Sequence, residues 1–407
     1  MSVMSRRLTP EEFSLWIHEQ SSDVPSLYSE PTTFLIRGEL DAHRLCESVA
    51  NVLASHPILG ASVRLSGVWP VLEAGAEAQL PGPVPLVEYP LPPGADAQER
   101  LSDYVRRWWA DGLDLEAGVV CRARVLRLGP EIHALALLLH HLVTDGWSMR
   151  VLAAEVVASY TGLDTLSSSS SLAPRPSAEA AMPEIGADPG SFADPFPGHT
   201  SFGSGGSFAV PCRRWSLPAV AASLGVTPFT LHVAAFQRAI REISGASRYL
   251  MVFPESGRRS SDARSVGYFV RTRLLVADLS PSGDGDPAVG QLCDAILDSI
   301  EGVSLTPDVQ AHLAALGLPA PAVSFAVDLQ VDLPIPGCQA EWLPLPLPRA
   351  KFPLALLLSQ PSDDRTGQTW LVVEHDPARV PETTARAVAE RYLQLVAELS
   401  DGGRGTP

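Results

Sequence analysis

The most informative stretch of this 407-residue sequence is His140-His141-Leu142-Val143-Thr144-Asp145-Gly146-Trp147-Ser148. It follows a run rich in leucine and β-branched residues, Ile132 to His140, that is typical of a buried strand, and it precedes a helical pattern over residues 149–160. If the strand continues through its last residues, neighbouring side chains point to opposite faces. We therefore predict that only one of the two histidines reaches a given cavity.

The paired histidines indicate proton transfer. One imidazole is expected to be fixed by neighbours, while the other offers a nitrogen whose ordinary pKa lies near neutral and suits deprotonation of a nucleophile. A buried Asp145 is expected to need a cationic partner and to be architectural, because an unpaired buried carboxylate is costly. Gly146 is expected to leave room beside the imidazole for a substrate, and Ser148 to cap the following helix.

Two other readings of the same stretch must be weighed, and for either histidine in isolation a structural role is the more common one. Each histidine alone could be an ordinary core residue, and two histidines with an aspartate could bind a metal ion. No metal site is predicted, because adjacent strand histidines diverge and no third ligand stands at helical spacing. The sequence also has no Gly-x-Ser-x-Gly elbow of a serine hydrolase and no glycine-rich phosphate loop ending in Gly-Lys-Ser/Thr.

The composition is that of a folded chain with more than one core, since 45% of the residues are hydrophobic and 19% are charged. The net charge of -16 opposes nucleic-acid and anionic-membrane partners. The apolar runs are too short to span a bilayer and the N-terminus lacks a secretory core, so we expect a cytoplasmic protein. Five scattered cysteines predict free thiols rather than disulfides or a zinc site.

Alternating strand and helix patterns on both sides of a Ser/Pro/Gly-rich segment predict a mixed α/β fold with two lobes of similar size. The predicted division is an N-terminal lobe over 1–162 that carries the histidines, a linker over 163–209 that includes Gly203-Ser-Gly-Gly-Ser, and a C-terminal lobe over 210–407. The predicted strands are 33–38, 62–65, 69–73, 119–126, 132–140, 248–253, 267–275, 323–329, 352–359 and 369–374. The predicted helices are 41–55, 97–110, 149–160, 228–244, 289–300 and 381–399.

His140 through Gly146 match His-His-x-x-x-Asp-Gly without a gap, and the chain resembles the condensation-domain family of nonribosomal peptide synthetases, within a wider acyltransferase superfamily. The resemblance covers nearly the whole chain, in the family's order. The other similar segments are Leu8-Thr-Pro-Glu-Glu-Phe-Ser-Leu-Trp16, Leu113-Asp-Leu, Val119-Val-Cys-Arg-Ala-Arg, Pro254-Glu-Ser-Gly-Arg258, Val266-Gly-Tyr-Phe-Val-Arg-Thr272 and Val373-Glu-His-Asp-Pro-Ala-Arg-Val.

This resemblance implies an α+β sandwich of two chloramphenicol-acetyltransferase-like lobes in a V-shape, with a central tunnel that donor and acceptor enter from opposite faces. His141 is then the candidate base or nucleophile-orienting residue. The implied structural motif residues are His140, Asp145, Gly146 and Arg258, with Gly146 shaping the tunnel and Arg258 pairing with Asp145. The tunnel or substrate candidates are Trp147, Ser148, Tyr268 and Arg271.

The function implied by the resemblance is that of a stand-alone condensation enzyme. It would transfer an acyl or aminoacyl group from an acyl or peptidyl carrier protein to an amine or hydroxyl, on a small-molecule or carrier-bound acceptor, in natural-product biosynthesis. No bound cofactor is expected, since the phosphopantetheine arm or coenzyme A enters as part of the substrate. The stand-alone expectation rests on the final helix, after which no carrier or adenylating module follows.

Two alternatives stay open. His56-Pro-Ile-Leu resembles several coenzyme A-dependent O- or N-acyltransferases of the superfamily, and an inactive scaffold or recruitment module would keep the fold without turnover. The sequence departs from the family's pattern at two positions. Arg271 replaces the asparagine expected in Gly-Tyr-Phe-Val-Asn-Thr, and Pro353 occupies a place where Lys-Phe-Asp is common, since the sequence there reads Lys351-Phe-Pro353. We hypothesise that Arg271 contacts an anionic acceptor or the phosphate of a carrier arm, the alternative being a strand residue with a solvated guanidinium.

Overall fold

The structure is a computed structural model that describes residues 4–24, 27–74, 82–163, 172, 189–198, 203–215, 217–280, 292–293, 296, 303–362 and 368–402. Strands and helices alternate, which confirms the predicted mixed α/β class. The strands are β1 Met4–Arg7, β2 Ser29–Gly38, β3 Ser62–Ser66, β4 Trp69–Ala74, β5 Leu86–Glu88, β6 Cys121–Gly129, β7 Ile132–His140, β8 Gly203–Ser204, β9 Gly206–Cys212, β10 Arg248–Ser256, β11 Val270–Asp278, β12 Val323–Leu329, β13 Cys338–Leu343, β14 Arg349–Ala350, β15 Leu354–Gln360 and β16 Thr369–His375. The α-helices are α1 Pro10–Gln20, α2 Ala42–Ser55, α3 Ala97–Ala110, α4 Gly146–Thr161, α5 Pro218–Leu224, α6 Pro228–Ser244, α7 Pro307–Ala315 and α8 Glu382–Gly402.

The first large sheet has the order β13-β2-β7-β6-β5. Its central strand β7 is buried on both faces, because Leu135 and Leu137 pack in a core with α2 and α4, while Ala136 and Leu138 pack in a second core with α3. Burial on both faces explains the continuous apolar run. The strand therefore carries His140, its last residue, deep into the molecule.

The second large sheet has the order β11-β10-β12-β15-β16-β9. Its middle strands β10, β12 and β15 are parallel, and the outer pairs are antiparallel. Helices α6 and α8 cover this sheet, and the aromatic rings of Phe236, Phe325 and Tyr392 lie together in that core. The loop after β10 and the start of β11 supply residues to the site.

A strand from the second half of the chain completes the first sheet. Strand β13 pairs with β2 in antiparallel register, with Trp342 opposite Phe34. The prediction placed residues 338–343 in the C-terminal lobe, but their backbone hydrogen bonds place them in the sheet that carries the histidines. The sequence signal is weak because β13 is mostly exposed or half-buried.

Most of the predicted strands and helices are confirmed, several of them with identical bounds. Residues 203–204 and 206–212 form strands, so the prediction of Gly203-Ser-Gly-Gly-Ser as linker was wrong. The predicted helix 289–300 lies largely outside the described residues. The three predicted lobe boundaries stay a prediction.

All five cysteines are free thiols. Within the described ranges, no single helix is both long and apolar enough to cross a membrane, and one pair, α5 with α6, meets the length and composition criteria only when taken together across a 90° bend.

Candidate active site

His141 lies where the chain leaves β7. The strand ends at His140, and a 3-10 turn over His141–Val143 follows, so the two rings diverge because of this turn rather than by strand alternation. His141 Nδ1 lies 2.7 Å from the carbonyl oxygen of Thr144. Because a carbonyl only accepts, Nδ1 carries the hydrogen in this bond and Nε2 is unprotonated in the neutral ring.

The chemistry of the ring depends on Nε2. Among the described residues, Nε2 of His141 has no hydrogen-bond partner, and the side chain is not fully buried. Burial lowers the pKa of His141, and the Glu30 carboxylate opposes this shift. The imidazole is therefore neutral near neutral pH and has a free lone pair.

In His140, Nδ1 accepts a hydrogen bond, whereas Nδ1 of His141 donates one. Its Nδ1 accepts a hydrogen bond of 3.0 Å from the backbone N–H of Leu142, and its Nε2 lies 3.4 Å from the Glu19 carboxylate. The ring is fully buried. His140 thus fixes the turn that carries His141, as we expect of a structural residue.

A motif cluster, consisting of Asp145, Ser148 and Arg258, holds the next turn of the chain. Arg258 Nη2 donates to Asp145 Oδ1 and to Ser148 Oγ, each at 2.7 Å, and the Asp145 and Arg258 side chains are only 4% and 5% exposed. The backbone N–H of Phe269 donates to Asp145 Oδ2 at 3.1 Å. The predicted pairing of Asp145 with Arg258 is present, and both charges are satisfied.

Helix α4 begins differently from the prediction. Asp145 is its N-cap and accepts from the backbone N–H of Ser148 at 2.7 Å. Ser148 therefore does not cap the helix, and that prediction was wrong. A carboxylate one residue before the helix fills the same role and also binds Arg258, which a serine hydroxyl would do less strongly.

The remaining predicted residues divide into two groups. The Tyr268 ring contacts His141 edge-on, with centroids 5.2 Å apart. Trp147 is 42% exposed, and its Nε1 donates to the carbonyl oxygen of Ala263. Arg271 lies in β11 opposite Glu255 and is half-buried. Among the described residues, the hydrogen bond of the His141 ring goes to Thr144 and its ring contact to Tyr268, rather than to Trp147 or Arg271.

A second buried group of charges was not predicted from the sequence. This arginine cluster consists of Glu30, Arg349, Lys351 and Glu374. Arg349 contacts Glu30 at 2.7 Å and Glu374 at 3.1 Å. Lys351 contacts the other oxygen of Glu30 at 2.5 Å. Burial alone would raise the pKa of Glu30. The attraction of Arg349 and Lys351 is stronger, so the net effect lowers this pKa and Glu30 is ionised beside His141.

The arginine cluster joins the two halves of the chain. Arg349 Nη1 also donates to the carbonyl oxygens of Leu27 and Ser29, both at 2.9 Å. The sequence did contain an indication of this cluster, because two cations, Arg349 and Lys351, stand shortly before the apolar strand β15. Charges beside a buried strand need partners, but the partner of this pair is more than 300 residues away in sequence.

Asp328, which was not among the residues predicted from the sequence, bounds the space beside Gly146. A Cβ atom at Gly146 would lie 2.7 Å from Oδ2 of Asp328, which is at the end of β12. A side chain at Gly146 would therefore displace the Asp328 carboxylate. In the described ranges, no group of three or more His, Cys, Asp or Glu side chains is arranged to hold a metal ion.

Comparison with known proteins finds both similar sequences and similar folds. Residues 8–175 match the condensation domain family. The chain is 30% identical over 149 residues to a probable non-canonical nonribosomal peptide synthetase, CymA, of Salinispora arenicola, an alignment that covers 36% of this chain and 2% of that protein. It is 22% identical over 424 aligned residues to surfactin synthase subunit 1 of Bacillus subtilis, covering 97% of this chain and 11% of that protein. The chain thus spans only a small part of the length of these curated relatives.

Among solved structures, the first condensation domain of the calcium-dependent antibiotic synthetase superposes with a TM-score of 0.73 at 17% identity, covering 98% of this chain and 96% of that chain. The condensation domain of the monacolin K polyketide synthase MokA superposes with a TM-score of 0.72 at 15% identity, covering 98% of each chain. Residues 8–175 therefore resemble the condensation domain family, and the chain as a whole has the fold of these solved condensation domains.

Proposed function

We propose that this chain transfers an acyl or aminoacyl group from a thioester to an amine or hydroxyl acceptor, and that His141 Nε2 takes the proton of the nucleophile. The observation that carries this proposal is the hydrogen bond between His141 Nδ1 and the Thr144 carbonyl, because it leaves Nε2 as the free, basic nitrogen. The match of residues 8–175 to the condensation domain family supports the reaction class.

The reaction balances without a further reagent. As the acceptor nitrogen or oxygen attacks the thioester carbonyl, its proton moves to His141 Nε2 and a C–N or C–O bond forms. The tetrahedral intermediate then collapses, the C–S bond breaks, and the leaving thiolate takes that proton from His141, which restores the neutral base. Holding the two reactants together supplies the larger share of the acceleration, and proton removal supplies about 100- to 10,000-fold.

Tyr268 and the motif cluster would position the base rather than react. Tyr268 packs edge-on against the His141 ring, and burial raises the pKa of its hydroxyl, so the side chain stays neutral. Asp145 starts α4 and is held by Arg258, which fixes the backbone after Thr144. The carbonyl that orients His141 is thereby held in place.

The proposed donor is an acyl or peptidyl carrier protein that presents its thioester on a phosphopantetheine arm. The curated relatives that carry related segments are peptide synthetases, which supports a carrier-bound donor. The tunnel between the lobes and the contact of Arg271 with the phosphate of the arm belong to this proposal. A coenzyme A thioester is the alternative donor.

The test follows acyl loss from candidate carrier proteins by intact mass, with amines or alcohols added. His141→Ala is expected to lower the turnover number by about 100- to 10,000-fold. The exposed His43→Ala variant removes an imidazole from the surface of α2 and is the matched control. Full activity of His141→Ala would refute the role as base. Transfer from coenzyme A thioesters alone would identify the other donor, and no transfer from any thioester would overturn the proposal.

A further inference from the structure

Asp145, Glu30 and Asp328 are three carboxylates that act on one another electrostatically, and among the described residues only the first two have cationic partners. Asp145 is paired with Arg258, and Glu30 is paired with Arg349 and Lys351. The third is Asp328. The Asp328 carboxylate is thus the one of the three without an ion pair to a described residue.

Asp328 has no ion pair with any described residue. Its Oδ1 accepts a hydrogen bond of 2.8 Å from the backbone N–H of Leu329. Arg150 is the cation that acts on it electrostatically, but the Arg150 guanidinium lies over the Trp147 ring, 4.6 Å from the ring centroid. The carboxylate is therefore available to a cation from outside the chain.

The Asp328 carboxylate lies beside the first residue of helix α4. Its two oxygens would lie 2.7 and 3.0 Å from a Cβ atom at Gly146, so only a glycine allows so close an approach. Gly146 is the first residue of α4, which follows the turn that carries His141. A group bound at Asp328 is thus adjacent to the segment that orients the base.

Asp328 is also reached by water. The residue has a large exposed fraction, yet its surroundings are deep enough that burial raises the pKa of its carboxyl, with Asp145 and Glu30 adding to this shift. The backbone N–H of Leu329 and the Arg150 charge oppose it. These two properties describe a carboxylate that water reaches but that other protein groups surround closely, so that a cationic ligand gains more there than at a fully open surface.

We propose that Asp328 is a specificity-determining residue that binds a cationic group of the acceptor, separate from the attacking nucleophile. This inference rests on the proposed function, because it requires an acceptor beside His141. The acceptor class that it names is a small diamine or amino alcohol, with one end reacting at His141 and the protonated amine held at Asp328.

The bound cation must be a second group for a kinetic reason. An ammonium that is itself the nucleophile gives up its proton before it attacks, so an ion pair with Asp328 would stabilise the ground state and slow the reaction. A separate ammonium keeps its charge from binding through the transition state. Its ion pair then adds to kcat/KM without opposing proton transfer.

The experiment compares three acceptors of similar length with wild-type protein and the thioester donor: α,ω-diaminopentane, pentylamine and ω-aminohexanoate. The expected kcat/KM for the diamine exceeds that for pentylamine by about 10- to 100-fold, the range for a hydrogen bond to a charged group, and the aminohexanoate is the poorest acceptor. In Asp328→Asn, the ratio of diamine to pentylamine is expected to fall to about one. Asp308→Asn, which removes an exposed carboxylate of the same half, should keep the wild-type ratio.

A binding measurement keeps the inference testable without turnover. Calorimetric titration with the diamine is expected to show binding to wild-type protein and a loss of about 10-fold or more in affinity for Asp328→Asn, with circular dichroism confirming that the variant is folded. Equal kcat/KM for all three acceptors in wild-type protein, or an unchanged ratio in a folded Asp328→Asn, overturns the inference and leaves the proposed function intact. A wild-type protein that transfers the acyl group to other amines or alcohols but to none of these three acceptors also overturns the inference, whereas the absence of transfer from every thioester overturns the proposed function.

Discussion

The motif cluster and the arginine cluster both hold buried charges near His141, but they differ in how completely those charges are buried and paired. We call a cluster closed when both charges are buried and face each other, and open when one of them is partly exposed. In the motif cluster, Asp145 and Arg258 are almost completely buried, and each charge faces the other. In the arginine cluster, two cations share two carboxylates, and Glu30 remains 29% exposed and acts on His141. The first cluster therefore mainly fixes backbone geometry, with Asp145 raising the pKa of His141 least among the groups that act on it, whereas Glu30 and Lys351 of the second cluster act on that pKa more strongly.

This difference teaches that buried ion pairs near one site can serve separate purposes. A closed pair contributes little to the potential of its surroundings, because its two charges cancel at short range. An open cluster with an exposed carboxylate influences the pKa of a neighbouring imidazole. Variants of the two clusters should therefore differ in what they change, stability in one case and the pH profile in the other.

The largest effect is expected from opening the motif cluster. Arg258→Met leaves the Asp145 carboxylate buried without a cation, and it should lower the free energy of unfolding by about 3–5 kcal/mol. Urea denaturation followed by circular dichroism measures this loss. The double variant Asp145→Asn with Arg258→Met is expected to recover part of it, since no charge is then left unpaired. A loss below about 1 kcal/mol for Arg258→Met would show that the cluster is not closed.

A smaller loss is expected from the arginine cluster. Arg349→Met removes the contacts to Glu30 and Glu374, but Lys351 still neutralises Glu30, which is partly exposed. The free energy of unfolding should fall by about 2 kcal/mol, measured in the same denaturation series. Arg386→Met, which breaks an exposed pair on α8, is the matched control and should cost less than about 0.5 kcal/mol. If Arg349→Met costs more than Arg258→Met, the ranking of the two clusters is wrong.

The smallest effect is a shift in pH dependence. Burial lowers the pKa of His141 and Glu30 raises it, so Glu30→Gln should lower this pKa further, with Lys351 and Arg349 left as nearby cations. A base with a lower pKa keeps its lone pair at lower pH. The acid limb of kcat/KM should therefore move to lower pH in Glu30→Gln.

Glu374→Gln provides the control for that measurement, because Glu374 contacts Arg349 rather than Lys351 and is not among the groups that shift His141. Its acid limb should stay near the wild-type position. An acid limb that moves to higher pH in Glu30→Gln would contradict the assignment of Glu30 as the group that raises the pKa of His141.

The sequence predicted those parts of the site that lie within short motifs. Asp145 and Arg258 each stand in a segment with a family resemblance, so their pairing could be inferred even though the two segments are distant. The helix cap was misassigned to Ser148 because aspartate and serine are both good N-caps, and the sequence pattern does not fix where the first turn begins.

The arginine cluster and Asp328 could not be predicted in the same way. Glu30 and Lys351 meet because two sheets are packed together, and no local periodicity reports such a contact. Asp328 ends a strand whose pattern was predicted correctly, but its significance depends on the glycine that it faces, 182 residues earlier in the sequence. Local patterns determine elements, whereas these contacts are a property of how the elements are packed.

Strand β13 has a consequence for biosynthesis of the protein. The outer edge of β2 gains its partner only when a segment about 300 residues later has left the ribosome. Until then, the nascent sheet presents unpaired backbone groups, which are a template for intermolecular association. Expression of the first half alone, cut at the serine-rich segment, would leave this edge permanently open, so such a fragment should aggregate instead of forming an independent lobe.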